Sequence, residues 1–184
     1  MPKENNKEMK IGIFGSKHSG KTSLFNKFYN NTFKNQTIAT ASPKQFYQYY
    51  KIDNKCIMLH MWDTPAIEYY SLIDQYVFGL DGIILTVDLT SRVSFEIAKS
   101  FLYKIRTIAQ DDESVYLTNN ILLAGCKEDL TSERQVTDKE VTDFASKEKI
   151  CYIETSALNG SGINQCFEYT ITVIYNEAIK AKKK

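Results

Sequence analysis

Residues 15–22 read Gly15-Ser16-Lys17-His18-Ser19-Gly20-Lys21-Thr22, which is the glycine-lysine-threonine spacing of a phosphate-binding loop. The apolar run at residues 9–14 before it predicts a buried strand, and residues 23–30 after it predict a helix. In that setting the backbone N–H groups of the loop and the positive end of the new helix bind phosphate. We therefore predict a nucleotide site in which Lys21 contacts the β- and γ-phosphates and Thr22 binds Mg²⁺.

The length and composition of the chain predict a single domain over residues 1–184, with flexible tails at about residues 1–8 and 179–184. Apolar residues make up 43% and charged residues 24%, with a formal net charge of +1, so we expect neither a disordered chain nor nucleic acid as a partner. The cysteines lack metal-ligand spacing, which suits reduced thiols in the cytoplasm. No apolar run is long enough to span a bilayer, and we expect no lipid anchor in this chain because myristoylation and prenylation motifs are absent. We therefore expect a cytoplasmic protein that reaches endomembranes through its partners.

Short apolar runs that alternate with helical patterns predict an α/β fold. The runs at residues 82–88, 120–125 and 150–154 are typical of strands buried on both faces of a parallel sheet. Residues 46–52 and 55–62 flank the turn signal Asp53-Asn54, which predicts an antiparallel edge hairpin. Apolar residues at three- and four-residue steps predict amphipathic helices over residues 95–109 and 163–178. The expected fold is that of a P-loop NTPase: a six-stranded, mostly parallel sheet with helices on both faces and a ligand crevice beyond the carboxyl ends of its strands.

Motifs at those strand ends give a family resemblance. The chain resembles the small GTPases of the Ras superfamily, and the Rab branch most closely. The motifs that carry the resemblance run along nearly the whole chain: Asn31-Thr32-Phe33, Ile38-Ala39-Thr40, Trp62-Asp63-Thr64, Gly82-Ile83-Ile84, Asp88-Leu89-Thr90, residues 125–130 and Glu154-Thr155-Ser156-Ala157-Leu158.

The resemblance implies roles for individual residues. Phe33 would pack against the guanine ring, Thr40 would reach Mg²⁺ and the γ-phosphate, and Asp63 would hold Mg²⁺ through water. Lys21 and Thr40 would be the catalytic residues, GTP or GDP the bound nucleotide, and Thr22, Thr40 and Asp63 the Mg²⁺ ligands. The full set of expected nucleotide contacts is Gly15, Lys17, His18, Ser19, Gly20, Lys21, Thr22, Ser23, Phe33, Thr40, Ala66, Cys126, Lys127, Asp129, Ser156, Ala157 and Leu158.

The preference for guanine has a physical reason. A carboxylate such as that of Asp129 accepts from the two adjacent N–H donors on one edge of guanine, an edge that adenine lacks. The methylene stem of Lys127 would cover the base and ribose. The backbone N–H of Ala157 would donate to the guanine carbonyl.

The residues after Asp63-Thr64 depart from the family pattern. The family usually has alanine, glycine and a glutamine that positions the attacking water, whereas this chain has Pro65, Ala66 and Ile67. An isoleucine side chain has no donor or acceptor and cannot orient a water molecule. We therefore expect slow GTP hydrolysis, unless these residues only pack a loop that has drifted.

Lys17 stands where the family tends to have a glycine, and its side chain has three possible roles. Its side chain could obstruct an incoming arginine finger, or supply a cation in cis for the transition state. It could also point into solvent, away from the nucleotide.

Cys126 replaces an asparagine whose amide, in the family, ties the base-binding loop to the base. Because a thiol is a weak hydrogen-bond donor, we expect nucleotide affinity to fall about tenfold and exchange to be faster.

Aromatic residues predict a surface for effector and regulator proteins. Trp62 and Tyr76 match two members of the aromatic triad that supports effectors in the Rab branch, but Gln45 replaces the third. Tyr47 and Tyr49 lie in the same region and suit an interface centre, although a half-buried hairpin would also favour them.

Three functions therefore stay open on the sequence alone. The chain could be an atypical switch that hydrolyses GTP slowly and acts in vesicle traffic or signalling. It could instead be a GTP-loaded interaction module with essentially no hydrolysis, or a pseudo-GTPase that uses the fold as a scaffold.

Overall fold

The fold is built on one six-stranded sheet. The computed structural model describes residues 8–35, 40, 42–65, 73–111 and 120–181. Its strands are β1 (Glu8–Gly15), β2 (Lys44–Ile52), β3 (Lys55–Asp63), β4 (Gly82–Asp88), β5 (Ile121–Cys126) and β6 (Cys151–Thr155). They lie in the order β2-β3-β1-β4-β5-β6, with β2 and β3 antiparallel and every other neighbouring pair parallel. The predicted fold class, including the antiparallel edge hairpin, is confirmed.

Helices cover both faces of this sheet. They are α1 (Lys21–Asn30), α2 (Asp74–Val77), α3 (Arg92–Asp111), α4 (Asp138–Glu148) and α5 (Ile163–Ala181). Residues of α1 and α5 share one apolar cluster with the inner residues of β1 and β3. Residues of α2, α3 and α4 share a second cluster on the opposite face. The central strand β4 is buried along its whole length because helices cover it on both sides.

The hairpin turn uses two residues that tolerate a left-handed backbone. Asp53 and Asn54 have φ values of 46° and 60°, as a two-residue hairpin turn of type I′ requires. The strands that they join pair from Lys44 opposite Asp63 to Ile52 opposite Lys55. Asp63 is thereby fixed at the end of β3, on the edge of the sheet where the other parallel strands end.

The ordered elements extend into both predicted tails. Strand β1 begins at Glu8, whose carboxylate contacts the buried ring of His60 at 2.8 Å. Helix α5 continues to Ala181 because Ile179 still packs against the cluster beneath α1 and α5. Strand β1 therefore includes residue 8, and helix α5 includes residues 179–181.

Helices α2 and α4 have no counterpart among the helices predicted from the sequence, and α4 is the longer of the two. This helix begins with a capping box in which the Thr137 hydroxyl accepts from the N–H of Glu140 and the Glu140 carboxylate accepts from the N–H of Thr137. The Thr-x-x-Glu spacing was the available signal.

None of the helices within the described ranges is both long enough and apolar enough to cross a membrane.

Candidate functional site

A cavity of about 710 Å³ opens where the parallel strands end. This is the position at which α/β sheets of this kind bind ligands. Side chains from α1, from the segment after it and from the loops after β5 and β6 line it. The lining residues are Lys17, His18, Gly20, Lys21, Thr22, Ser23, Leu24, Phe33, Lys34, Asn35, Thr40, Cys126, Lys127, Asp129, Leu130, Thr155, Ala157 and Leu158.

Residues 15–22, the phosphate loop, join β1 to α1 as the sequence predicts. Gly20 has a φ of 101°, a backbone conformation that residues with a side chain rarely adopt, and it directly precedes the first residue of α1. The buried hydroxyls of Ser19 and Thr86 lie 2.7 Å apart and anchor the loop to β4. The first turn of α1 therefore presents its N–H groups at the cavity, where an anion is favoured.

Lys21 is the buried cation of this loop. Only 6% of the residue is exposed, and its ammonium donates to the carbonyl oxygens of Gly15 (3.0 Å) and Ser16 (2.7 Å). Burial lowers the pKa of Lys21 to about 8, and the nearby Asp63 carboxylate partly opposes this change. Among the residues that the structure describes, this buried ammonium contacts carbonyl oxygens and no anionic group, so it would gain from a bound phosphate.

Three oxygen-bearing side chains converge beside Lys21. Thr22 donates to Asp63 Oδ2 at 2.7 Å, and the Thr40 hydroxyl lies 3.0 Å from that of Thr22 and 3.3 Å from Asp63 Oδ2. Burial raises the pKa of the Asp63 carboxyl, against the hydrogen bond from Thr22 and the charge of Lys21. Asp63 Oδ1 is buried and has no hydrogen-bond partner among the described residues.

This oxygen set fits Mg²⁺. The ion prefers hard oxygen ligands, usually with no more than one or two carboxylates among them, and it keeps several waters. An orphaned carboxylate oxygen beside two hydroxyls leaves lone pairs that a hydrated cation would satisfy. Thr22, Thr40 and Asp63 are therefore the residues that would hold the ion.

Residues 126–130, the base loop, follow β5 at the other end of the cavity. Asp129 lines the cavity, and Lys127 has a φ of 66°. The Lys127 ammonium donates to Asp88 Oδ2 at 2.6 Å, and the other oxygen of Asp88 accepts from the backbone N–H and the hydroxyl of Thr90. Asp88 thus holds the Lys127 side chain across this end of the cavity.

Cys126 is a packing residue in this structure. It is 4% exposed, and a Cβ added to Gly20 would lie 3.0 Å from its Cβ and 3.2 Å from its Sγ. The Thr155 hydroxyl reaches Sγ at 3.6 Å, and Sγ lies 3.8 Å from the Ala124 carbonyl oxygen. Burial raises the pKa of the thiol to about 12.

The loop after β6 closes the base end. Ala157 and Leu158 line the cavity, while the fully buried Ser156 donates its N–H to the carbonyl of Ser161. Below them, the Glu154 carboxylate pairs with the Arg134 guanidinium at 2.5 Å and 2.9 Å. This ion pair lowers the pKa of Glu154 and fixes the end of β6.

Most of the predicted contacts therefore surround one cavity. Gly15, Ser19 and Ser156 lie in the same loops but are buried behind its lining. Lys17 and His18 are exposed and line it, and His18 has a left-handed φ of 61°. The predicted residues Ala66 and Ile67 lie outside the described residues.

Several residues of the site went unpredicted. Lys34, Asn35, Leu24, Leu130 and Thr155 line the cavity without having been assigned a role. All but Leu24 adjoin or belong to motifs that carried the family resemblance, so their position in the sequence was the available signal.

Three of the four predicted partner residues, Tyr47, Tyr49 and Trp62, fall on the face of β2 and β3 that lies opposite α1 and α5. Tyr47 and Tyr49 are 52% and 65% exposed. The His60 ring stacks on Tyr47 (centroids 4.2 Å apart) and lies tilted against Trp62 (5.1 Å). Gln45 Oε1 lies 3.0 Å from His60 Nε2 and accepts from the Tyr47 hydroxyl, which adds a polar cluster to this aromatic face.

Tyr76, the fourth predicted partner residue, lies in α2. It is half-buried and packs against the apolar cluster on the α3 side of the sheet. Tyr69 and Tyr70, which lie near it in sequence, are outside the described residues.

Comparisons with known proteins agree with this geometry. The sequence model described as "Ras family" matches residues 10–176. The chain is 36% identical to Ras-related protein Rab-11C of Dictyostelium discoideum over 186 aligned positions, covering all of this chain and 80% of that protein. It is 32% identical to Ras-related protein Rab-4 of the same organism, covering 86% and 75%. It is 31% identical to human Ras-related protein Rab-4B, covering 91% and 76%.

Proposed function

The chain belongs to the Ras family of small GTPases, near the Rab branch, and from this premise we propose that it is an atypical guanine-nucleotide switch with slow GTP hydrolysis. The observation that carries the proposal is the arrangement around one cavity. A buried lysine and an orphaned aspartate oxygen lie at one end, and Asp129 lies among the residues that follow β5. These groups match the charges and donors of a Mg²⁺-bound guanine nucleotide.

The phosphates bind at the phosphate loop. The N–H groups at the start of α1 donate to phosphate oxygens, and the Lys21 ammonium exchanges its carbonyl partners for the β- and γ-phosphates. A bound Mg²⁺, held by Thr22, Thr40 and Asp63, supplies positive charge that neutralises the phosphate oxygens. The low exposure of Lys21 makes each charge interaction stronger than it would be in water.

The base is read at the base loop. The Asp129 carboxylate accepts from the two adjacent N–H donors of guanine, and Lys127 is held over this region by Asp88. Phe33, which is exposed where it lines the cavity, gains burial when a base packs on it. The Cys126 thiol supplies no amide here, so we propose faster exchange than in a relative with asparagine at that position.

Hydrolysis is slow because the glutamine that orients the attacking water in the family pattern is replaced in this sequence. Ile67 stands at that position in the sequence, and an aliphatic side chain neither donates nor accepts. Lys21 and the loop amides still stabilise charge, so we propose a rate at or below about 10⁻⁴ s⁻¹, the order of intrinsic Ras turnover. Such a protein, in the setting of its Rab relatives, would act in vesicle traffic or signalling through the surface around Tyr47 and Trp62.

The alternative function is an interaction module that stays loaded with GTP or uses the fold as a scaffold. The replacement of the water-orienting residue favours this alternative, and single-turnover hydrolysis separates the two. Release of phosphate from bound GTP, however slow, supports the switch. No release over a day, with the nucleotide still bound as GTP, supports the loaded module.

Nucleotide binding is tested with labelled GDP, GTP and ATP in the presence of Mg²⁺. We expect GDP and GTP to bind much more tightly than ATP, and Asp129→Asn to weaken guanine binding at least tenfold because a carboxylate that accepts two hydrogen bonds is lost. Asp143→Asn is the matched control, because Asp143 pairs with Lys139 on the exposed face of α4. Equal affinity for ATP, or no binding at tens of micromolar protein, would contradict the proposal.

A further inference from the structure

The phosphate loop and the base loop must keep a fixed separation for one nucleotide to bind both. Cys126 and Gly20 pack against each other between these loops, but this contact has no strong hydrogen bond. The Cys126 thiol lies 3.6 Å from the Thr155 hydroxyl and 3.8 Å from the Ala124 carbonyl, and sulfur is a weak donor and acceptor. Any strong polar link between the two loops must therefore run elsewhere.

A chain of short hydrogen bonds provides such a link through the end of β4. In the phosphate loop, the Ser16 hydroxyl lies 2.9 Å from the hydroxyl of Ser94, in the first turn of α3. The Ser94 hydroxyl accepts from the backbone N–H of Asp88 at 2.9 Å. The Asp88 carboxylate then accepts from the Lys127 ammonium of the base loop at 2.6 Å.

Three of the four groups in this chain are shielded from water. Ser16, Ser94 and Asp88 are buried, whereas the Lys127 side chain is 34% exposed. Hydrogen bonds in such surroundings are electrostatically stronger than exposed ones, and losing one partner leaves a buried polar atom unsatisfied. The Ser94 hydroxyl is the central member, because it contacts both Ser16 and the backbone of Asp88.

We propose that Ser94 and Asp88 are positioning residues that connect the phosphate loop to the base loop. They would take over the role of the asparagine side chain that Cys126 replaces. The inference rests on the proposed guanine-nucleotide site and adds which residues set its rate of nucleotide release. Because Ser16 and Lys127 are connected through Ser94 and Asp88, one loop cannot move away from the nucleotide without stretching or breaking a hydrogen bond to the other. Release of the nucleotide then requires that these hydrogen bonds break or that both loops move together.

The test is the release rate of fluorescent GDP, measured by chasing the Mg²⁺-loaded protein with excess unlabelled GDP. Ser94→Ala should accelerate release about two- to tenfold, the effect of one buried hydrogen bond. Ser100→Ala, on the same helix, is the matched control, because the Ser100 hydroxyl bonds to the Glu96 carbonyl at 3.0 Å on an exposed surface. Its release rate should equal that of the unsubstituted protein.

A double-mutant cycle distinguishes a tie between loops from a general loss of stability. Ser16→Ala and Asp88→Ala break the link at two points, so their effects on release should be less than multiplicative in the unsubstituted protein. In the Ser94→Ala background, where the link is already broken, the same two effects should multiply. Independent effects in both backgrounds would overturn the proposal.

A rescue experiment uses position 126 itself. Cys126→Asn introduces an amide at the buried contact between the loops, so it should slow release more in the Ser94→Ala protein than in the unsubstituted one. If Cys126→Asn slowed release equally in both proteins, the idea that Ser94 and Asp88 compensate for the missing asparagine would be overturned. Unchanged release by Ser94→Ala in a protein that binds GDP normally, or equal acceleration by Ser100→Ala, would overturn this inference alone, whereas failure of the unsubstituted protein to bind GDP would overturn the proposed function as well.

Discussion

Replacing Lys21 with methionine should separate nucleotide binding from folding. The substitution keeps a long, flexible side chain but removes a buried ammonium that donates to the Gly15 and Ser16 carbonyls. Because the pKa of Lys21 is lowered from 10.5 to about 8, keeping it charged in the folded protein costs about 3 kcal/mol at neutral pH. That cost disappears with the charge.

The opposing term is the loss of hydrogen bonds. The Ser16 carbonyl still accepts a hydrogen bond from the N–H of Ser19, so the Gly15 carbonyl is affected more by the loss of the ammonium. Each carbonyl that loses its hydrogen bond costs about 1–2 kcal/mol. The free energy of unfolding without nucleotide should therefore change by no more than about 2 kcal/mol in either direction. Binding of GDP should fall further, because the charge-assisted hydrogen bond to its β-phosphate is lost at about 1.5–3 kcal/mol, or roughly 10–150-fold in Kd.

Urea unfolding in EDTA and titration with fluorescent GDP measure the two effects separately. Lys27→Met, in the last turn of the same helix, is the control and should change Kd less than threefold. The reasoning is refuted if Lys21→Met still binds GDP within tenfold of the unsubstituted protein. It is also refuted if the substitution lowers the free energy of unfolding by well over 3 kcal/mol, since the ammonium would then be mainly structural.

Three further outcomes are expected. Ile67→Gln should raise single-turnover GTP hydrolysis several-fold by restoring a group that orients water, and an unchanged rate would show that position 67 does not contact the attacking water. In iodoacetamide labelling at pH 8 followed by mass spectrometry, exposed Cys56 should react well before Cys126, whose pKa is raised to about 12 by burial; faster labelling of Cys126 would contradict the packing role. Glu140→Gln should destabilise the protein modestly at neutral pH, because hydrogen bonds from Arg92 and from the helix cap lower the pKa of Glu140 from 4.5 to about 2. The stabilisation that results from this lowered pKa is fully present above about pH 4.5 and is lost as the pH falls toward 2. The difference in urea midpoint between the unsubstituted protein and Glu140→Gln should therefore shrink over that window, and a constant difference would contradict this prediction.

Helix α4 and the chain ends show where sequence patterns were incomplete. The Thr137-x-x-Glu140 spacing marks the start of α4, but the helix has a weak apolar stripe with only Val141 and Ala145 buried. At the end of α5, Ile179 continues the helix because it packs against neighbours that are distant in sequence. Patterns in a short window do not report such packing.

The sequence by itself determined the phosphate loop, the six strands, the helices α1, α3 and α5, and the candidate residues at the strand ends. Each of these depends on local spacing: eight residues for the loop, alternation for the hairpin, and three- and four-residue steps for the helices. The tertiary structure alone decided which of those residues touch. Thr22 meets Asp63 across 41 positions, and Ser16 meets Ser94 across 78, because parallel strands carry them to the same edge of the sheet. Contacts at such separations depend on strand order and register, which bring together side chains that no local period relates.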